Sequence, residues 1–161
     1  MKVALVGTPN AGKTALFNRI TYSHQRVANY SGVTVESAEA DFKFPTSSNS
    51  NQFAHGVLID LPGAYSLRPY TDDEGVLADA LLSADLEAMI IVVDATQPER
   101  AIRFLIEVLA ATDLPAVVAL NMTDLAAERG FEYNFAELEK RLGVPVVATV
   151  AVKKRVSKNS Y

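Results

Sequence analysis

Gly7-Thr8-Pro9-Asn10-Ala11-Gly12-Lys13-Thr14 places glycine, lysine and threonine at the spacing G-x-x-x-x-G-K-[ST]. Residue types in that order can cradle a polyphosphate. The glycines let the backbone curl until its amide hydrogens point inward at phosphate oxygens. A helix beginning at Lys13 aims its positive end at the same place. The lysine adds a point charge for the outer phosphates, and the Thr14 hydroxyl can ligate magnesium. Gly7, Asn10, Ala11, Gly12, Lys13, Thr14 and Ala15 are therefore expected to touch the nucleotide. Further along, Asp60-Leu61-Pro62-Gly63 follows an apolar run. Its carboxylate can hold magnesium and its glycine amide can meet a γ-phosphate. Alone, D-x-x-G is a common turn; downstream of a phosphate loop it gains meaning. Asn121-Met122-Thr123-Asp124 ends another apolar run and fits N-x-x-D. An aspartate there can accept hydrogen bonds from guanine N1 and N2, a pair of donors that adenine lacks. Asn121 can brace the phosphate loop and touch the base, and Met122 can cover the base. Ala151, Val152 and Lys153 at the last strand end can offer a backbone amide to the guanine carbonyl. Thr34 lies in a polar loop before a strand. Spacing alone leaves it either a strand-initiating residue or a magnesium-closing one.

These groups need a scaffold that brings five separate strand ends together. Residues 3–6, 88–93, 114–120 and 144–150 are short, nearly continuous apolar runs. Helical patterns over 13–22, 72–83, 98–111 and 135–142 lie among them. Apolar strands alternating with helices predict a mostly parallel sheet covered on both faces. A polar turn over 45–52 joins strands at 35–44 and 53–60 and predicts one antiparallel edge strand. The expected fold is α/β, a P-loop NTPase with a six-stranded sheet. Residues 23–34 read as an exposed loop. The polar residues fall at the carboxyl ends of the strands, where such sheets bind ligands.

The 161 residues suit one domain, with 49% hydrophobic and 21% charged residues. No cysteine is present, which excludes thiolate metal sites and cysteine catalysis. A net charge of -4 disfavours general nucleic-acid binding. No apolar run approaches the roughly 18 residues of a membrane span, so the piece reads as soluble and cytoplasmic, without direct membrane insertion. His24 and His55 lack metal-ligand spacing. Asp72-Asp73-Glu74 reads as a solvated first helical turn, Tyr65 and Tyr70 as loop anchors, and the basic residues after Ala151 as a solvated tail.

Residues 7–18, GTPNAGKTALFN, together with NYSGVTVE (29–36), DLPGAYSL (60–67) and NMTD (121–124), resemble the cytosolic GTPase domain of the ferrous iron transport protein B family. The resemblance covers nearly the whole chain. It implies a GTP-binding domain over 1–155, a polar tail over 156–161, and slow magnesium-dependent GTP hydrolysis. It makes 29–36 the first switch, with Gly32, Val33 and Thr34 facing the nucleotide and Thr34 reaching magnesium. It gives Asn10 a potassium ion beside the phosphates. Lys13, Asn10, Thr34 and Gly63 are then the catalytic set. Ala64 stands where many small GTPases place a water-orienting glutamine. Thr8, Ala15 and Tyr30-Ser31 depart from the family pattern, as does the missing glycine after Lys153. The implied partners are GTP or GDP and the helical and transmembrane parts of a bacterial inner-membrane transporter, with homo-oligomerisation open for the intact protein. This stretch is then an excised, cytoplasm-facing domain. An RNA-associated GTPase, a GTP-binding switch with negligible hydrolysis and an ATP-dependent enzyme are the competing readings.

Overall fold

The computed structural model describes residues 1–21, 26–29, 36–46, 52–67, 72–82 and 85–151. The elements in chain order are β1 (Lys2–Gly7), α1 (Lys13–Thr21), β2 (Arg26–Asn29), β3 (Glu36–Pro45), β4 (Phe53–Asp60) and α2 (Asp72–Leu81). They continue as β5 (Ala88–Asp94), α3 (Pro98–Ala111), β6 (Ala116–Asn121), α4 (Thr123–Glu128), α5 (Phe135–Leu142) and β7 (Val146–Thr149). The strands form one sheet in the order β2-β3-β4-β1-β5-β6-β7. Strands β4, β1, β5, β6 and β7 run parallel; β3 lies antiparallel to β4, in register from Ala38 opposite Asp60 to Pro45 opposite Phe53.

The six expected strands are present with their expected directions. A seventh, β2, falls within the stretch that reads as an exposed loop. It pairs antiparallel with β3 from Arg26 opposite Glu39 to Asn29 opposite Glu36. Arg-Val-Ala-Asn is too short and polar to announce itself; its strand character comes from the open edge of β3. Helix α4 is likewise an addition to the expected elements. Its six residues follow Met122, which takes a left-handed conformation at φ 61.

The continuous apolar runs are explained by burial on both faces. Along β1, Ala4 and Val6 enter one core with α2 and α3. Val3 and Leu5 enter the other with Leu16 and Phe17 of α1. This is the two-residue period of a strand, with neither set facing water. Phe17, Phe104 and Leu77 are wholly buried, and each such side chain contributes about 1.5–3 kcal/mol. The helices stop and start where local chemistry dictates. Pro98 opens α3. The Asn134 side chain accepts from the Glu137 amide at 3.0 Å to cap α5, and Gly143 closes it at φ 72. The Tyr133 hydroxyl donates to the Ala95 carbonyl, tying the α5 approach to the end of β5. Burial, and then the nearby Asp94 carboxylate, push the Tyr133 phenol above its usual pKa.

Candidate functional site

The carboxyl ends of the parallel strands carry Gly7, Asp60, Asp94, Asn121 and Thr149 on one rim. Register sets this directly: Leu5 pairs with Asp60, Gly7 with Val92, Asp94 with Asn121 and Asn121 with Thr149. The loop after β1 is the centre of the rim. Gly7 has no room for a side chain, because a Cβ there would lie 2.5 Å from the Val92 carbonyl oxygen. Asn10 at φ 64 and Gly12 at φ 88 are both left-handed and turn the loop back on itself. The curled loop opens onto a cavity of about 580 Å³ lined by Asn10, Gly12, Lys13, Thr14, Ala15 and Gly63. Backbone amides, one cation and one exposed hydroxyl around such a cavity suit a polyphosphate.

At the wall of this cavity Lys13 turns its ammonium to the Asp60 carboxylate, with which it is paired. Their side chains are 12% and 13% exposed, so the pair sits largely out of water. The two groups assigned by sequence to phosphate and to magnesium thus neutralise each other. Asp60 and Thr14 offer hard oxygen donors of the kind magnesium takes.

The segment after Asp60 is fixed against the loop. The Leu61 amide donates to the Leu5 carbonyl at 3.1 Å and the Ala64 amide to the Gly7 carbonyl at 3.2 Å. Gly63 faces Pro9; a Cβ on it would meet the Pro9 backbone at 3.3 Å. Ala64 is 2% exposed and belongs to the core. Its side chain serves packing and offers nothing to a reacting water.

On the base side, Asn121 is wholly buried and acts as a staple. Its Nδ2 donates to the Ala11 carbonyl at 2.8 Å, bracing the phosphate loop as the sequence suggests. Its Oδ1 accepts from the Thr149 hydroxyl at 3.1 Å and from the Ala151 amide at 3.0 Å. The last contact ties the Ala151 amide to Asn121; the Val152 and Lys153 amides, the other two of the three offered to a base by sequence, lie outside the described residues. The staple also explains Gly12, since a Cβ there would lie 2.2 Å from Asn121 Nδ2. The Met122 methyl lies 3.7 Å from that same Cβ position, over the loop. Asp124 occupies the first turn of α4, half-buried. Asn121→Ala is expected to cost about 3 kcal/mol, because three hydrogen bonds are lost and buried partners are orphaned. A lower urea midpoint with an unchanged slope would show it.

The structure therefore brings Gly7, Asn10, Ala11, Gly12, Lys13, Thr14, Ala15, Asp60, Gly63, Asn121, Met122, Asp124 and Ala151 to one rim. Gly32, Val33, Thr34, Val152 and Lys153 lie outside the described residues. Sequence reasoning missed Arg19, whose guanidinium donates to the carbonyls of Val150 at 2.8 Å and Ala151 at 3.2 Å, holding the loop after β7 from α1. It also gave Asp94 no task. The Asp94 carboxylate accepts from the Thr96 amide at 2.7 Å and from Gln97 Nε2 at 3.0 Å, shaping the turn into α3.

Known proteins of the same make are plentiful. The profile of the family described as ferrous iron transport protein B matches residues 1–159. The Fe(2+) transporter FeoB of Escherichia coli (strain K12) is 39% identical over 159 residues, covering 96% of this chain and 20% of that protein. The FeoB of Staphylococcus aureus (strain N315) is 38% identical over 147 residues, 91% of this chain and 21% of that protein. The chain spans about a fifth of the length of these curated relatives. Among solved structures, the cytosolic domain of T. maritima FeoB in its GMPPNP form superposes with a TM-score of 0.82 at 41% identity, covering 94% of this chain and 57% of that one. A GDP-bound mutant of the S. thermophilus FeoB G-domain gives 0.81 at 41% identity, with 96% and 56% covered.

Proposed function

Because the chain belongs to the ferrous iron transport protein B family, we propose that it is a guanine-nucleotide switch that binds GTP and GDP with magnesium and hydrolyses GTP. The observation that carries this reading is the Asn121 staple, which locks an N-x-x-D motif onto the floor of a phosphate loop. A polyphosphate fills the cavity at Lys13, a guanine lies toward Asp124 under Met122, and both ends meet one rigid frame. Thr14, Asp60 and Thr34 would hold magnesium, which would supply neutralising charge to the phosphoryl group. This chain's own part is to bind, orient and surround that group with amides and one ammonium. On this reading the segments 29–36 and 60–67 close on the γ-phosphate, and their contacts to it are lost when it leaves. In the longer protein this switch regulates ferrous iron transport from the cytoplasmic face of the bacterial inner membrane.

Intrinsic turnover is slow, since the buried Ala64 cannot orient water. We propose that potassium at Asn10 supplies part of the missing charge. The carboxamide at that position lines the phosphate cavity and is a neutral oxygen donor. Phosphate release from GTP in potassium against sodium buffer tests this, with Asn10→Gly as the variant. Glycine removes the side chain yet tolerates φ 64, where alanine would add strain of about 1 kcal/mol. Stimulation of about tenfold or more in potassium, lost in Asn10→Gly, is expected. Equal slow rates in both salts, with GTP binding intact, would leave a switch without cation assistance.

A further inference from the structure

The segment that follows Asp60 has two ends. The upstream end is held by β-type hydrogen bonds to Leu5 and Gly7. The downstream end is held from α3. There one oxygen of the Glu107 carboxylate accepts from the Ser66 hydroxyl at 2.7 Å and from the Leu67 amide at 3.1 Å. One helical face supplies a second contact two turns earlier, where the Arg100 guanidinium lies 5.8 Å from the centroid of the Tyr65 ring. Arg100 is oriented by Gln97 at 3.0 Å.

Magnitudes separate the two grips. Tyr65 is 52% exposed, and a cation over an exposed ring is a weak contact. Glu107 is half-buried and accepts charge-assisted bonds, which are roughly twice as strong as neutral ones. Glu107 is therefore the dominant tether. It also gives a task to the serine in DLPGAYSL, which no phosphate motif requires.

We infer that Glu107 is a positioning residue: by holding Ser66 and Leu67 it fixes the far end of the 61–67 segment and so presents the Gly63 amide to a γ-phosphate. This rests on the GTPase reading above. Gly63 lies between the Leu61 and Ala64 amides, which bond to Leu5 and Gly7, and only Tyr65 separates Ala64 from the Glu107-held Ser66. Release of Ser66 and Leu67 leaves the Ala64 bond as the last hold on that side of Gly63, and the freedom it admits must be lost again each time the triphosphate site closes. GDP lacks the phosphate that Gly63 meets, so its binding is indifferent to the tether.

The test uses wild type, Glu107→Ala, Glu107→Gln and Ser66→Ala. Hydrogen exchange at the Leu67 amide without nucleotide reads the tether itself: protection in wild type should be lost in Glu107→Ala and largely kept in Glu107→Gln, whose amide oxygen still accepts. In GTP hydrolysis, Glu107→Ala should lower kcat about tenfold while GDP affinity stays within about twofold. Glu107→Gln should recover most of that loss. Ser66→Ala added to Glu107→Ala should cost clearly less than the two singles combined, as coupled partners do. Unchanged Leu67 exchange overturns the tether. Equal losses of GDP and GTP binding together with a lower melting temperature overturn the positioning role and leave Glu107 a packing residue. Absence of hydrolysis in wild type sinks the GTPase reading instead, and the exchange result still judges the tether.

Discussion

Lys13→Ala is expected to weaken magnesium-GTP binding by about a hundredfold or more, the equivalent of one well-placed charged contact to phosphate. The same change should destabilise the nucleotide-free chain, although a lysine-to-alanine change at a helix end is ordinarily mild. The reason is the Lys13–Asp60 pair, whose side chains are 12% and 13% exposed. Removing one partner leaves a largely buried carboxylate without compensation, which costs about 3 kcal/mol. Removing both should cost much less than the sum. Urea denaturation of Lys13→Ala, Asp60→Ala and the double variant makes the cycle. If the double variant loses as much as the two singles combined, the pair carries no coupling and contributes nothing to the nucleotide-free state. The pair also sets an order of events. On the proposed reading, Asp60 would be open to magnesium only once a polyphosphate had drawn Lys13 away. Titration of magnesium without nucleotide should therefore show negligible binding.

Asp124→Asn should exchange one base for another. On the proposed reading the Asp124 carboxylate accepts from both guanine N1–H and N2–H. A carboxamide can accept one of these and must then point an N–H at the other donor. That collision and an unpaired donor cost on the order of a hundredfold or more in GTP affinity. Xanthine replaces the 2-amino group by an oxygen, so the same carboxamide fits it with one bond in each direction. GTP affinity should collapse while xanthosine triphosphate gains. Competition binding with both nucleotides and with ATP decides it. If Asp124→Asn keeps its preference for GTP, Asp124 does not read the base. The prediction leans on Met122, whose left-handed backbone at φ 61 starts α4 and sets Asp124 in its first turn.

Much of this architecture is legible in the chain itself. The four apolar runs and the polar turn at 45–52 give the sheet and its hairpin, because strands buried on both faces leave no alternation to misread. Pro98 and Gly143 mark α3 and α5 by backbone chemistry alone. The site motifs are legible because each is local, a few residues at one strand end. What escapes is non-local or borrowed. Strand β2 exists because β3 offers an edge. Arg19 reaches Val150 across 131 positions, and Glu107 reaches Ser66 across 41, and neither leaves a periodic trace. The bond of the Ala151 amide to Asn121 escapes for the same reason, since its partner lies 30 residues earlier. Ala64 is legible as a missing glutamine but not as a core residue, since burial belongs to the assembled sheet.

Asn121 has a consequence for how a ligand with two ends is held. Its carboxamide joins the Ala11 carbonyl on one side to Thr149 and Ala151 on the other. On the proposed reading, the subsites for base and phosphates are thereby set at a constant separation, like two jaws on one bar. A nucleoside and a pyrophosphate offered as separate molecules each lose their own freedom of movement on docking. Joined in one molecule, the second end arrives at an effective concentration far above any in solution. Rigidity in the bar would turn two weak grips into a tight one, so that a single buried side chain would govern the avidity of the whole site.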